Sequence, residues 1–335
     1  MHHLPSESVP HARTLMGWPP AGPVWGRDIE DVRRDVAAIA RTIADHEPVV
    51  MLASPEDAAG AHRACGDAVE IVGMPVDDLW LRDAGPTFVT GADGALAGVD
   101  FGFNGWGGKQ AHPNDGPLAR RVLELFGVPR IEAPLVAEGG SLESDGAGTL
   151  LVTESSLVND NRNPGRSRDD IERKLKRLLG VRKVIWLEGV RGEDITDCHI
   201  DALARFVVPA MVLLSKPPAG AEPGDVWIRV YERARAALEA ATDAEGRALE
   251  IVELPEPDPD RLGDRGPDFL GSYVNYYLAN GAVIVPRFGD GHADDEAAAL
   301  LGALHPGRVV RPVEIPTLAE GGGGIHCATQ QQPAS

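Results

Sequence analysis

Positive charge is scarce in this chain. Its 335 residues hold 32 lysines and arginines against 51 aspartates and glutamates, a formal net charge of −19, with a pI near 4.9. So acidic a surface repels phosphate backbones and anionic lipids and draws in small cations, so neither nucleic acid nor a membrane is expected as a partner. Long apolar runs are missing as well. Nowhere do about 18 apolar residues follow one another, and the opening MHHLPSESVPHARTL lacks a cationic segment followed by an apolar stretch, which points to a cytoplasmic protein. The three cysteines, Cys65, Cys198 and Cys327, are odd in number and far apart. They argue against a disulfide framework and for free thiols in a reducing compartment. There is no dinucleotide fingerprint. The run GWGGK at Gly105 to Lys109 lacks the remaining spacing of a phosphate loop and its following Ser or Thr.

What the chain does have is ample material for a core: 43% hydrophobic and 25% charged residues are the proportions of an ordinary folded domain. Apolar residues recur at helical spacing from about Asp28 to His46, Asp115 to Phe126, Arg168 to Leu179, Val226 to Ala241 and Ala293 to Leu304, and each stretch leads into a strand-like run. Further strands, among them GTLLVTES, IDALARFVV and VNYYLANGAVIVP, lie between, and Asn280-Gly281 in the last is a hairpin turn signal. Such helix-then-strand units suggest an internally repeated α/β domain, with a doubly wound sheet as the competing architecture. No shift of composition marks a boundary. One domain over residues 1–335, with a core from about 14 to 333, is expected. Three stretches rich in Gly, Pro, Asn and Asp read as loops: FNGWGGKQAHPNDGP, NDNRNPGRS and PEPDPDRLGDRGPD.

Four short segments carry chemistry. EGGGGIHCATQQQP sets Cys327 behind four glycines and a histidine. A flexible linker is one reading; a tight backbone around a reactive thiol is the other, and only eight residues follow Cys327. In DITDCHIDALARF, Asp197, His199 and Asp201 would share one face of an extended chain, with Cys198 and Ile200 on the other. DDLWLRDAGPTFV holds Asp83 after Arg82, either a site carboxylate or a surface ion pair of little consequence. EGGS places Glu138 before two glycines. Zinc on Cys198, His199, His326 and Cys327 is a weaker reading, because neither pair has zinc-finger spacing. Together, a thiol, an imidazole and several carboxylates suit covalent catalysis on a positively charged substrate.

WLRDAGPTFV, FNGWGGK, EGGS, RNPGRS, DITDCHIDALARF, SYVNYYLANGAVIVP and GGGGIHCATQQQP follow one another as in the agmatine deiminases, which the chain resembles over nearly its whole length. These belong to the guanidine-modifying superfamily that includes peptidylarginine deiminases. The resemblance implies the pentein fold, a five-bladed β/α propeller of pseudo-fivefold ββαβ units with its active site on the central axis. It implies Cys327 as nucleophile, His199 as acid and base, Asp83 and Asp201 as a guanidinium clamp and Glu138 as the residue orienting His199. Trp80, Asp197, Ile195 and Gly324 are expected to line the substrate. The chemistry agrees, because a guanidinium stays charged and its planar fork of donors fits carboxylates on either side.

The expected activity is hydrolysis of a small cationic guanidino compound, agmatine first, to N-carbamoylputrescine and ammonia, with no metal or organic cofactor. A homodimer stays open, as do another guanidine (peptidyl arginine, a guanidino acid or an alkylguanidine), an amidinotransferase and a guanidine-binding module. The chain departs from the family pattern at Ile195, where a glutamate that pairs with the far amine of agmatine is usual, at Cys198 in place of glycine, at Gly324 in place of asparagine, and at Ser155-Ser156 beyond the TE of LLVTES. Glu193 and Asp194 are the nearby acids available to replace that glutamate.

Overall fold

A computed structural model describes residues 2–218, 220–221 and 224–334. Its contacts gather into two compact units, one of Met1–Val9 and Asp83–Leu254, the other of Pro10–Arg82 and Pro255–Ala334.

Among the described residues the first unit carries three sheets, and two of them show how the pattern works. Thr87–Gly91 runs antiparallel to Leu96–Asp100. The chain then passes through the helix Leu118–Leu125 and returns as Arg130–Glu132, parallel to Leu96–Asp100. Glu143–Ser144 pairs antiparallel with Thr149–Thr153. The helix Arg168–Leu179 then brings the chain back as Lys183–Leu187, parallel to Thr149–Thr153. An antiparallel pair needs only a turn, whereas a parallel one needs a crossover, and the helix supplies it. The third sheet has the order Ala204–Val208, Met211–Lys216, Glu250–Pro255, with the helix Val226–Ala240 before its last strand.

The helix Arg168–Leu179 shows why these residues choose this form. Ser167 caps it by accepting from the Asp170 amide, Asp169 and Asp170 sit in its first turn, and Lys176 and Arg177 in its last. Gly180 ends it at a left-handed φ of 67°. Ile171, Leu175 and Leu179, four apart, bury one stripe among Val99, Leu150, Val152 and Val184.

In the second unit, Thr329–Pro333 runs antiparallel to His11–Gly17, and the helix Ile29–Ala44 leads to Val49–Ala53, parallel to His11–Gly17. Val69–Gly73 adds a fourth strand. The other sheet is the hairpin Tyr277–Ala279 and Ala282–Arg287, then the helix Gly291–Leu304 and Val309–Glu314, parallel to Ala282–Arg287. Asn280-Gly281 makes the hairpin turn, with Gly281 at φ 71°. Among the described residues the chain thus forms five small sheets rather than one continuous doubly wound sheet, and all five helical stretches expected from periodicity are present.

Two expectations need correction. IDALARFVV is a strand only from Ala204, because Ile200–Leu203 is a single helical turn. The Asp194 carboxylate accepts from the backbone of Thr196 and Cys198, and this curls the chain before it can pair. PEPDPDRLGDRGPD contains one turn of helix, Pro259–Leu262, started by Asp258 accepting from the Asp260 amide with proline at the first helical position.

Candidate active site

In the first unit the site is built over one glycine. Glu138 is followed by a tight turn, Gly139–Ser141, which the Ser141 hydroxyl ties down by donating to the Glu138 carbonyl at 2.6 Å. A methyl group on Gly140 would lie 2.7 Å from His199 Nδ1, 2.8 Å from Asp83 Oδ1 and 3.1 Å from Asp201 Oδ2. Three functional side chains therefore converge on a spot that only a glycine leaves open. Asp83 is held on both oxygens, by the Gly140 amide at 3.0 Å and by Trp106 Nε1 at 2.8 Å. The GWGG turn explains that tryptophan. Gly105, Trp106, Gly107 and Gly108 all take positive φ, and Asn104 accepts from the Gly107 amide. The three glycines carry the left-handed turn almost without strain and set the indole on Asp83.

His199 stands between carboxylates, Nε2 at 3.4 Å from Glu138 Oε2 and Nδ1 at 3.6 Å from Asp83 Oδ1. Neither ring nitrogen has an aligned hydrogen-bond partner among the described residues, and neither does Glu138 Oε2. The other Glu138 oxygen accepts from Arg162 Nε at 2.8 Å. Arg162, fully enclosed, donates at 2.5 Å to Asp197 and at 3.0 Å to the Thr196 carbonyl. Asp197 also takes Lys109 Nζ at 2.8 Å and Asn161 Nδ2 at 3.2 Å.

The charges explain the proton affinities. Burial, the largest single influence, pushes the His199 imidazolium down, but Asp83, Glu138 and Asp201 together outweigh it and raise its pKa to about 9. Burial also raises Asp83, with Asp201 and Glu138 adding like charge against the attraction of His199. Burial pushes Glu138 up too, yet His199 and Arg162 overcome it and hold the carboxyl below its usual range. The result is a buried imidazolium among carboxylates, with Glu138 kept ionised from behind by Arg162.

The extended-chain reading of DITDCHID fails in its backbone. Asp197 and Cys198 lie at φ 61° and 69°, so alternate side chains do not share a face. Asp197 turns to Arg162 and Lys109, whereas His199 and Asp201 reach the cradle. Cys198 does face away: it is packed with Leu151, Leu187 and Ile200, and burial, reinforced by Asp194 and Asp197, raises its thiol to about 12. Its left-handed φ is one that glycine adopts without strain and that a side chain disfavours. Ile195 is half-buried, and its carbonyl accepts from Lys109 Nζ at 2.9 Å. Asp194 is occupied, accepting from the Thr196 amide at 2.6 Å and the Thr196 hydroxyl at 2.7 Å. Glu193 is exposed.

In the second unit each of the four glycines has its own reason. A methyl group on Gly321 would meet Trp25 at 2.2 Å, one on Gly323 would meet Trp80 at 2.3 Å, and one on Gly324 would meet Asn275 Oδ1 at 2.5 Å, while Gly322 takes φ 79°. This is close-packed backbone and no linker. Trp25 is fixed by donating to Asp78 at 2.9 Å, and its ring lies 6.1 Å from that of Trp80. Behind the glycines, Cys327 is buried. Its carbonyl accepts from the Arg82 amide at 3.2 Å, and Arg82 Nε donates to the His326 carbonyl at 3.3 Å. Arg82 is thus a buried backbone clamp rather than half of a surface pair.

Sequence reasoning singled out the carboxylates, His199 and Cys327 but not Trp106, Arg162 or Asn275. Each stood inside a quoted motif. The available signals were a tryptophan among glycines, an arginine in a Pro/Asn loop and an asparagine in the aromatic run SYVNYY.

Comparison with known proteins agrees in extent. The family described as Porphyromonas-type peptidyl-arginine deiminase matches residues 3–333. An agmatine deiminase of Stutzerimonas stutzeri is 39% identical over 359 residues, covering 99% of this chain and 96% of that protein. One of Medicago truncatula is 36% identical over 366 residues, covering 99% and 96%. The solved agmatine deiminase of Enterococcus faecalis superposes with a TM-score of 0.92 at 29% identity, covering 99% of this chain and 96% of that one.

Proposed function

The chain belongs to the Porphyromonas-type peptidyl-arginine deiminase family and is a relative of the agmatine deiminases, and from that premise we propose that it hydrolyses agmatine to N-carbamoylputrescine and ammonia, a step of polyamine metabolism. The observation that carries the proposal is the cradle at Gly140, where two carboxylates and an imidazole meet over a side-chain-free spot. A guanidinium has five donors, no acceptor and a permanent charge, so buried carboxylates recognise it and make its burial tolerable.

In the proposed reaction Asp83 and Asp201 fix the guanidinium plane, and the Cys327 thiolate adds to its central carbon to give a tetrahedral adduct. His199, held protonated by its carboxylates, gives a proton to one nitrogen, which leaves as ammonia and leaves an S-alkylthiouronium on the cysteine. The neutral imidazole then takes a proton from water, whose oxygen adds to the same carbon. Expulsion of the thiolate releases the ureido product. Glu138, pinned by Arg162, keeps the ring oriented. Hydrolysis consumes one water per guanidinium; the remaining hydroxyl proton of the second adduct leaves through solvent to the released ammonia, so that the net products are the ureido compound and one ammonium.

One catalytic domain, built as a five-bladed propeller from five sheets, is part of the same proposal. It is supported by the antiparallel pair, helix and parallel strand recurring in both units. So is a small cationic substrate with neither nucleic acid nor membrane as partner, consistent with the acidic surface. Cytoplasmic location and a homodimer are likewise proposed.

A second reading, a guanidine without a distal ammonium, is favoured by Ile195 and by the engagement of Asp194 with its own turn. An ammonia-release panel over agmatine, arginine, 4-guanidinobutyrate, alkylguanidines and an arginine peptide separates the two, with an amine acceptor added to score amidino transfer. Agmatine giving the highest kcat/KM supports the first reading. A simple alkylguanidine or guanidino acid surpassing it by tenfold overturns the choice of substrate, and a new guanidine formed on the acceptor overturns hydrolysis.

A further inference from the structure

Asn275 is a fully buried polar residue in the turn Tyr273–Asn275, among Tyr273, Val274, Tyr276 and Tyr277, and no role for it follows from the cradle. Its carboxamide meets Cys327 twice. Oδ1 accepts from the Cys327 amide at 3.2 Å, and Nδ2 lies 3.2 Å from Cys327 Sγ. Its own carbonyl accepts from the His326 amide at 3.1 Å. The orientation of an amide is often ambiguous between oxygen and nitrogen. Here it is determined, because a backbone N–H only donates and must face the oxygen, so the NH₂ group faces the sulfur.

Gly324 belongs to the same arrangement. A methyl group there would stand 2.5 Å from Asn275 Oδ1 and 3.1 Å from its Cβ, so a side chain added at 324 would push the carboxamide from its present place. Two ionisable residues meet the backbone of this segment: Arg82, whose amide donates to the Cys327 carbonyl, and His326, whose carbonyl accepts from Arg82. Arg82 spends Nε on the His326 carbonyl and Nη1 on Gln331.

Resting on the reading of Cys327 as nucleophile, we infer that Asn275 stabilises and aims the Cys327 thiolate through its amide N–H, with Gly324 leaving the carboxamide room in this chain. A hydrogen bond donated to the charged form of a group favours that form. Asparagine suits the task because it accepts from the Cys327 amide and donates to its sulfur at once. Aspartate would accept but not donate, and its charge would repel the thiolate.

The test is alkylation of Cys327 in the free protein by iodoacetamide, in which the thiolate displaces iodide, followed across pH and read at the Cys327 peptide by mass spectrometry. Asn275→Ala is expected to slow alkylation at neutral pH by about tenfold and to move the half-maximal rate to higher pH. Asn275→Asp is expected to slow it further. Gly324→Ala, which displaces the carboxamide without removing it, is expected to shift the profile in the same direction. It carries the test if an Asn275 variant fails to fold. Profiles that superimpose on wild type in whichever variants fold overturn the inference. Turnover of Cys327→Ala separates this outcome from failure of the nucleophile reading. A dead Cys327→Ala with unmoved profiles overturns only the role of Asn275, and an active Cys327→Ala with shifted profiles overturns only the nucleophile.

Discussion

The two units hold their functional groups by different means. Around His199, order comes from charge: Glu138, Arg162 and Asp197 form a buried chain of ion pairs that ends on the imidazole at one side and on the exposed Lys109 at the other. Around Cys327, order comes from volume and backbone: three glycines lie against Trp25, Trp80 and Asn275, and Arg82 and Asn275 hold main-chain groups. Each device has its own weakness. A charge network fails when one partner is neutralised, because the remaining buried charge is left uncompensated. A close-packed glycine turn fails when atoms are added.

The largest effect expected is at the reacting atoms. Cys327→Ala should lower ammonia release by at least about 10³-fold while substrate still protects the protein against heat. Undiminished turnover would sink the nucleophile assignment. Next comes Arg162→Met, which takes from the buried Glu138 the guanidinium it shares with Asp197, while Asp197 keeps Lys109. It should cost about 3–5 kcal/mol of stability and lower kcat more than it raises KM, whereas Arg162→Lys, which keeps charge but loses the fork, should recover only part. Equal thermal midpoints for Arg162→Met and wild type would show that the charge chain does not hold the unit together.

Gly323→Ala and Gly321→Ala are the matching probes of the other unit, each expected to cost about 1–3 kcal/mol by forcing a tryptophan aside. The comparison sharpens with pH. The folded-state affinity of His199 for its proton is raised from 6.5 to about 9, so the stability it contributes is fully present below 6.5 and is lost as pH rises through about 9. Denaturant midpoints measured from pH 6 to 10 should fall over that window in wild type and in Gly323→Ala, and much less in His199→Gln. A His199→Gln curve parallel to wild type would remove the imidazolium from the account. Smallest of all is Cys198→Ser, predicted to keep turnover within about threefold, since its thiol is packed away from His199 and serves as apolar filling.

How much of this was legible beforehand follows the range of the interactions. Helices such as Arg168–Leu179 were readable because cap, stripe and terminal glycine are local signals. The residue types of the cradle were readable because acids and imidazole in short motifs narrow the chemistry. The bend at Asp197 and Cys198 was not, since it depends on Asp194 capturing amides within its own turn and on Lys109, 88 positions before Asp197, pinning the loop. Nor was the pairing of Gly324 with Asn275, which a packing contact between segments 49 positions apart creates. Arg162 was missed for a related reason: an arginine in a polar loop looks solvated until the fold encloses it.

The most direct test of the central claim is to mix the protein with excess agmatine, quench in acid within milliseconds to seconds, and weigh the intact chain and its Cys327 peptide. The account predicts a transient thiouronium adduct on Cys327 that precedes N-carbamoylputrescine and accumulates further in His199→Ala if attack survives there. Steady ammonia release with no adduct at any time in either protein, or an adduct on Cys65 or Cys198, would contradict it.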